Sequence, residues 1–397
     1  MQPKTSIVIG GGIAGCSTAY ALALRGIKVT LLERHAELAS EASGNPIAML
    51  YPRLSGDDTA SQFALAGYLH SLSLFNTLNL DPADFNTCGM LQLGFNAREL
   101  ARIKKVAAQN HPARVLKYLN PQEASMLSGT TILHNALYFP EAAWVNPRHL
   151  CERLTKHENI QVITLNKVTN LLKNNGLFEI YCDNNFRQKA DIAVIANAND
   201  AQYLCPGMPL ETQAVRGQIT LLTATEASLG LKTIVCSDGY LSPAAHGIHC
   251  LGATFSTENI DLTVNEHDHQ TNLETLKAIS TSLYENLQGN ITGGRVSVRC
   301  TTADYFPLVG ALLDGIVLKD APPRPSAKVD SLPWLQGLYI NVAHGSKGFT
   351  SAPLCAELLA SMVCNTALPI STELAGLLNP NRFLLRSLGL KRLAKMR

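Results

Sequence analysis

Apolar and polar positions along the chain fall into short blocks of changing period. Residues 6–9 are a β-branched run suited to a buried parallel strand. Residues 14–24 are small and apolar, which predicts a helix that packs closely on a sheet, and Gly26 supplies its stop. Residues 28–32 predict a second strand. Further on, 161–165 and 178–182 read as a strand and meander, and DIAVIANA at 191–198 as another buried strand ending in small residues. From 210 to 325 the pattern changes to short strands at 217–223, 239–242, 249–255 and 294–301 with turn residues between them, as in an antiparallel sheet. The Pro-rich stretch 321–325 predicts a surface loop, after which 338–342 returns to a strand and 351–363 to a helix. No repeat or low-complexity tract interrupts this order.

Chemistry enters with the punctuation of the first block. Gly10, Gly12 and Gly15 stand between strand and helix in G-x-G-x-x-G order, where glycines permit a tight turn and let a pyrophosphate approach backbone amides at a helix N-terminus. Glu33 follows the second strand, where a carboxylate accepts both hydroxyls of an adenosine ribose and disfavours a 2′-phosphate. The whole unit predicts a Rossmann-like dinucleotide cradle; a glycine turn with no ligand is the alternative. Lys4 ahead of an apolar run also suits a signal peptide, but the glycine clustering and charged second strand oppose that reading.

The layout then separates the cofactors. An antiparallel domain is inserted and the chain returns to the sheet with a second glycine turn at 345–348. A nicotinamide dehydrogenase usually builds its dinucleotide fold in one block, so the layout favours FAD. With no second G-x-G-x-x-G and no redox C-x-x-x-x-C, dioxygen is the expected electron acceptor. The fold class expected is α/β, α+β overall: a Rossmann-like FAD-binding domain with an inserted antiparallel β-sheet substrate domain. The expected segments are 1–85, 146–209 and 326–378 for the FAD-binding domain, 86–145 and 210–325 for the substrate domain, and 379–397 for a basic tail.

The 397 residues suffice for two sizeable cores, and 46% hydrophobic with 16% charged residues suits a compact soluble chain. No apolar run reaches a membrane span. A net charge of +2 does not by itself imply nucleic acid, though it leaves room for a local basic face. Ten scattered cysteines without a C-x-x-C pair read as reduced, mostly buried cytoplasmic thiols, with no metal expected.

The glycine fingerprint, VRGQ at 215–218, RCTTADYFPLVG at 299–310 and HGSKGFT at 344–350 resemble the D-amino-acid oxidase and glycine oxidase superfamily of FAD-dependent amine oxidases. ASGNPIAMLYPRLS at 42–55, DGYLSP at 238–243, GSKGFTSAPLCAELL at 345–359 and LNPNRF at 378–383 narrow the resemblance. They look like the FAD-dependent half of the tRNA 5-methylaminomethyl-2-thiouridine biosynthesis bifunctional proteins, over nearly the whole chain. That family carries a methyltransferase domain ahead of the oxidoreductase, whereas here Met1 lies five residues before the first strand. Either a stand-alone oxidoreductase or a fragment is expected, without methyl transfer, the methyltransferase being a fused or separate partner.

The resemblance implies oxidative removal of the carboxymethyl group from 5-carboxymethylaminomethyl-(2-thio)uridine at the tRNA wobble position. Glyoxylate is released and 5-aminomethyl-(2-thio)uridine remains. Oxidation of a free amino acid or secondary amine of the glycine or sarcosine type stays open, as does a flavin-binding scaffold without turnover. Expected cofactor-binding residues are Gly10, Gly12, Ile13, Ala14, Gly15, Glu33, Arg34, Ser43, Gly44, Asn45, Val168, Ala196, Asn197, Gly345, Ser346, Lys347, Gly348 and Phe349.

The resemblance also makes Arg299 the leading substrate contact, through a bidentate pair with the substrate carboxylate; an ion pair with Asp304 is its alternative. Tyr240 is expected in the substrate pocket or in packing, Val168 at the adenine or in the core, and Lys347 beside the flavin where the family more often shows arginine. Ser297 occupies the position of a related sarcosine oxidase's flavin-linking cysteine, so non-covalent FAD is expected. The end of the chain gathers Arg382, Arg386, Lys391, Arg392, Lys395 and Arg397 with no acid among them. Such a run holds tRNA phosphates or lies on a solvated helix face. A cytoplasmic location completes the set.

Overall fold

A computed structural model describes residues 5–205, 207–258 and 260–395. The chain forms two interleaved units: the first comprises residues 1–44, 151–214 and 299–397, the second 45–150 and 215–298.

Unit 1 is built on a six-stranded sheet in the order Leu308–Leu313, Trp334–Val342, Ile192–Ile195, Thr5–Ile9, Lys28–Leu32, Ile160–Ile163. The last five strands run parallel, with Ser6 opposite Ile192 on one side and Val29 on the other. Leu308–Leu313 closes the edge antiparallel to Trp334–Val342. Strands buried on both faces need continuous apolar runs, and Ile7, Val8, Ile9, Ala193, Val194 and Ile195 meet that need. The helix Ile13–Ala23 packs against the helix Gly348–Cys364. Both are rich in Ala, Ser and Cys, so their backbones approach closely. An antiparallel meander, Val168–Asn174, Leu177–Cys182 and Arg187–Ala190, completes the unit's sheets.

Unit 2 holds most of an eight-stranded sheet, Ile291–Thr302, Thr212–Thr223, Ile248–Gly252, Tyr240–Leu241, Ile234–Cys236, Met90–Leu93, Ala136–Phe139 and Lys117–Leu119 in spatial order. The expected antiparallel pairing holds for Thr212–Thr223 with Ile248–Gly252 and for both neighbours of Tyr240–Leu241. Ile234–Cys236 pairs with Met90–Leu93 in parallel, which short local runs cannot reveal. Part of the region read as strands is helical: Glu266–Ile279 and Thr281–Leu287 lay Leu273, Leu276, Ile279, Leu283 and Leu287 on the core formed by Leu91, Leu222, Leu241 and Leu251.

The unit boundaries differ from those expected. Residues 45–85 group with unit 2, where Ala48–Leu50 and Phe85–Asn86 both pair with Ala143–Val145. Residues 299–325 group with unit 1, because Leu308–Leu313 is an edge strand of its sheet and Leu318 lies in its core.

The end of the chain is not a free basic tail. Two short helices, Arg382–Ser387 and Lys391–Ala394, bury Leu384, Leu385, Leu390 and Leu393 in the unit 1 core. Arg382 is fully buried: its guanidinium donates to both carboxylate oxygens of Asp304 (2.9 and 2.7 Å) and to the carbonyls of Phe306, Pro307 and Asn379. Arg392 donates to the carbonyls of Pro325 and Ala327. Arg386 stands 3.6 Å from Asp304 and lies over the Phe383 ring. Buried or committed guanidiniums do not hold phosphates, so of the six expected cations only Lys391 and Lys395 stay exposed and uncommitted among the described residues; Arg397 lies outside them.

Candidate active site: two glycine turns in unit 1

The first turn joins Thr5–Ile9 to Ile13–Ala23. Gly10 has φ +108°, a region that only glycine enters freely, and a Cβ there would lie 2.7 Å from the Ala196 carbonyl oxygen. At Gly15 a Cβ would fall 1.8 Å from the Gly10 carbonyl oxygen, so the helix seats directly on the turn. The Glu33 carboxylate, buried beneath it, accepts from the Gly11 N–H (2.7 Å) and the His35 N–H (2.8 Å). Each carboxylate oxygen retains a further lone pair. Ser43 Oγ accepts from the Ile13 N–H at 3.1 Å, capping the helix that the glycine at its N-cap cannot cap. Gly44 donates its N–H to the Glu41 carbonyl in the same loop.

At the neighbouring strand end, Ala196 donates to the Ile9 carbonyl, and Asn197 follows with its Oδ1 buried and without a hydrogen-bond partner. A buried acceptor left unmade costs free energy, and its position beside Gly10 marks a place for a ligand donor. Arg34 turns away from this role, since its guanidinium is committed to Glu41 and Asp200. Val168 opens the meander and packs against the unit 1 core. It stands two residues after Asn166, whose N–H donates to the Glu33 carbonyl.

The second turn joins Trp334–Val342 to Gly348–Cys364. Gly345, at φ +56°, donates its N–H to the Cys300 carbonyl, one residue past Arg299. Arg299 itself is half-buried on Ile291–Thr302. Its expected alternative partner, Asp304, is engaged by Arg382 and Arg386 instead. Burial favours the protonated acid, yet the Arg382 hydrogen bonds outweigh it and hold Asp304 below its ordinary value. Lys347 occupies the N-cap with no side-chain cap bond, so the helix opens on the amides of Gly348 and Phe349, with Ser346 exposed beside them. Such an end stabilises negative charge.

The two turns converge. A Cβ on Gly348 would meet Ile13 Cγ2 at 3.2 Å. A buried chain of hydrogen bonds also links them: His344 Nε2 lies 3.0 Å from Asn341 Oδ1, Asn341 Nδ2 donates to Thr18 Oγ1 at 3.0 Å, and Thr18 Oγ1 donates to the Ala14 carbonyl. His344 Nδ1 lies 2.9 Å from Ser351 Oγ. Burial pushes the His344 imidazole down to about 3, so the ring is neutral, with one nitrogen donating and the other accepting. Sequence reasoning missed this link; the only signal for it was a histidine beside the second glycine turn.

Two expected site residues lie in unit 2. Asn45 Oδ1 accepts from Arg295 at 3.1 Å, and the Tyr240 hydroxyl lies 3.6 Å from Cys250 Sγ. Burial pushes the Cys250 and Cys300 thiols up to about 12, which leaves them protonated and inert. Among the described residues no group of His, Cys, Asp or Glu is arranged to hold a metal ion.

These features fit a flavin adenine dinucleotide. They include a glycine cradle that tolerates no Cβ, a buried acid with free lone pairs, an orphaned acceptor at Asn197, and a second uncapped helix start against the first turn. Comparison with known proteins agrees. The model of the family described as DAO, FAD dependent oxidoreductase, matches residues 6–362. The tRNA 5-methylaminomethyl-2-thiouridine biosynthesis bifunctional protein MnmC of Methylobacillus flagellatus is 44% identical over 397 residues, covering 100% of this chain and 61% of that protein. The protein of the same name from Pseudomonas savastanoi pv. phaseolicola is 40% identical over 97% of this chain and 60% of its own length.

The chain therefore spans about three-fifths of the curated relatives it matches. Among solved structures, glycine oxidase from Geobacillus kaustophilus superposes with a TM-score of 0.75 at 19% identity, over 92% of this chain and 96% of that one. L-proline dehydrogenase from P. horikoshii gives 0.77 at 19%, over 96% and 98%. At such identity these two establish the fold. With a family match running from the first strand through the second glycine-turn helix, the chain belongs to the FAD-dependent oxidoreductase family and uses FAD.

Proposed function

We propose that this chain carries out the FAD-dependent removal of the carboxymethyl group from 5-carboxymethylaminomethyl-(2-thio)uridine at the tRNA wobble position. The observation that carries the reading is 44% identity, without interruption in coverage, to the part of a tRNA-modifying bifunctional protein that this chain spans. FAD, when bound, supplies the two-electron acceptor for the amine. The secondary amine loses a hydride from its α-carbon and a proton from nitrogen. Water adds to the resulting imine, and the C–N bond breaks to give glyoxylate and the primary amine. Bound FAD would hand that electron pair, with two protons, to dioxygen as the expected acceptor.

The chain's residues supply position and electrostatics. Gly10, Gly12, Ile13, Ala14 and Gly15 would hold the pyrophosphate and Glu33 the ribose, with Ser43 and Gly44 in the loop beside them, and Asn197 Oδ1 is free to accept from a cofactor donor. The amides of Gly348 and Phe349, with Lys347, would favour negative charge on a bound flavin ring. Arg299 holds the substrate carboxylate by a bidentate pair, and Tyr240 lines the substrate pocket. No protein base is required, because the reacting amine presents its neutral form. Attachment of FAD is non-covalent, in keeping with a buried Ser297 and an inert Cys300 thiol.

A methyltransferase domain, fused or separate, is the partner that the longer relatives suggest. The location proposed is the cytoplasm, where tRNA is modified; no helix among the described residues is long and apolar enough to cross a membrane. Incubation with tRNA bearing the carboxymethylaminomethyl group, and separately with glycine and sarcosine, tests the reading through glyoxylate release and flavin bleaching. Turnover of glycine or sarcosine alone would refute it. Arg299→Lys should raise KM for the substrate while FAD content stays at wild-type level; an unchanged KM removes the carboxylate role.

A further inference from the structure

With Arg382 buried and Arg386 and Arg392 committed within unit 1, the end of the chain keeps only Lys391 and Lys395 exposed and uncommitted among the described residues. A second cluster of positive charge lies at residues 96–118. Residues 96–118 contain Arg98, Arg102, Lys104, Lys105, Arg114 and Lys117 against a single acid, Glu99, a net +5 in a chain whose total is +2. The remainder of the protein, which includes the six cations of 382–397, is net −3.

Its structure keeps that charge available. The helix Ala97–Ala107 buries Ile103 and Val106 in a unit 2 core that also contains Leu116, and it packs on the strand Lys117–Leu119 at the edge of the large sheet. The lone acid is already neutralised: Glu99 is buried and accepts from Arg102 (2.8 Å) and Arg53 (3.1 Å). Arg98, Lys104, Arg114 and Lys117 are exposed and make no ion pair among the described residues; Lys105 is exposed too, its ammonium lying against Gly56 and helping to hold the nearby Asp58 carboxyl below its ordinary value. Arg98 and Lys105 are seven residues apart, two helical turns on one face, about 10 Å along the axis. Tyr118, 37% exposed, pairs with Leu137 on the side of the sheet that carries the helix, while Lys117, the residue before it in the edge strand, points to the opposite side.

We propose that the face formed by the helix Ala97–Ala107 and the edge strand Lys117–Leu119 binds the phosphodiester backbone of RNA. Exposed cations spaced along two adjacent elements match a linear polyanion, and an exposed tyrosine offers a stacking surface for an unpaired base. Protection of a sheet edge by charge explains Lys117 but not the four cations that lie outside that strand. The identity of the RNA as tRNA rests on the function proposed above, whereas the surface itself rests on charge and exposure.

The test uses the full holoenzyme and an unmodified tRNA transcript, with binding followed by fluorescence anisotropy across a potassium chloride series. Substituting Arg98, Lys104, Lys105, Arg114 and Lys117 together by Gln should weaken binding by about tenfold or more at 100 mM salt. It should also lower the slope of log K against log salt by about 3 to 5, one unit or slightly less per contact. The double variant Arg114→Gln with Lys117→Gln leaves the helix untouched and should lower the slope by about 1 to 2. It decides the matter if the fivefold variant does not fold.

Bleaching of the flavin by the free nucleoside 5-carboxymethylaminomethyl-uridine should be the same in both variants and wild type. Unchanged tRNA affinity and slope in the variants overturns this surface, as does unchanged tRNA binding together with lost binding of polyglutamate, which would assign the face to an acidic protein. Failure of wild type to be bleached by modified tRNA or nucleoside refutes the proposed reaction instead, and the binding data still judge the surface.

Discussion

Removing either partner of the Asp304–Arg382 pair should cost unit 1 a large part of its stability, and removing both should cost less than the sum. The side chain of Arg382 is 0% exposed and that of Asp304 is 29% exposed. The guanidinium joins the TADYFP segment to the NPNRF segment across 78 residues of sequence. Asp304→Ala leaves a fully buried cation with two of its donors facing no acceptor. Arg382→Leu takes both guanidinium hydrogen bonds from a half-buried carboxylate and one donor each from the Phe306, Pro307 and Asn379 carbonyls. Breaking a buried pair from one side costs about 3–5 kcal/mol.

The double variant strands no charge. It should lose clearly less than the two single losses added, with a coupling of about 1–3 kcal/mol. In a unit of this size each kcal/mol moves Tm by about 2–4 °C, so each single variant should melt about 6–20 °C lower by circular dichroism or calorimetry. The folded-state Asp304 carboxyl lies below its ordinary value. Its contribution is therefore fully present above that ordinary value, near 4, and is lost as pH falls through the folded one. Additivity within about 0.5 kcal/mol, or single losses below about 1 kcal/mol, would refute the argument.

Three further outcomes follow from the same geometry. Gly15→Ala, whose Cβ would fall 1.8 Å from a backbone oxygen, should lose bound flavin absorbance on gel filtration, while Gly289→Ala, with open space around it, should retain it. His344 sits at about 3, below the ordinary value near 6.5. The folded state thus refuses a proton that the unfolded chain accepts, and stability should fall with pH below about 6.5, by up to about 1.4 kcal/mol per unit. His344→Gln should flatten the dependence of Tm on pH between 7 and 5, and an unchanged slope contradicts the assignment. Truncation after Pro380 removes Leu384, Leu385, Leu390 and Leu393 from the core. At about 1.5–3 kcal/mol each, that loss rivals the whole net stability of a domain, so the product should be insoluble or molten rather than a folded enzyme with weaker tRNA binding.

Local sequence carried the first cradle, because strand, glycine turn, helix, strand and acid occupy one continuous stretch and each residue type answers a steric need within it. The return of the sheet at Trp334–Val342 and the helix after the second glycine turn were legible for the same reason. What escaped the sequence depends on distant partners. Arg382 lies in a basic run that reads as a solvated face, and only Asp304, brought close by the fold, turns it into a core residue. Leu308–Leu313 falls within 210–325, the stretch expected for the inserted domain, and only its pairing with Trp334–Val342 assigns it to the first sheet. The helix Glu266–Ile279 could have been found, since Leu273, Leu276 and Ile279 recur at three-residue intervals, but short strands on either side drew the whole region into their pattern.

The interleaving of the two units also sets an order of events during synthesis. Gly10 and Gly345, the anchors of the converging turns, leave the ribosome 335 residues apart. At about 5–20 residues per second the amino-terminal turn waits some tens of seconds for its counterpart. Unit 2, whose last segment ends at residue 298, is fully synthesised before the strand Trp334–Val342 emerges. The nascent chain therefore carries a complete second unit while half of its cofactor cradle is still missing, and capture of FAD by both turns waits until residues 345–348 have been made.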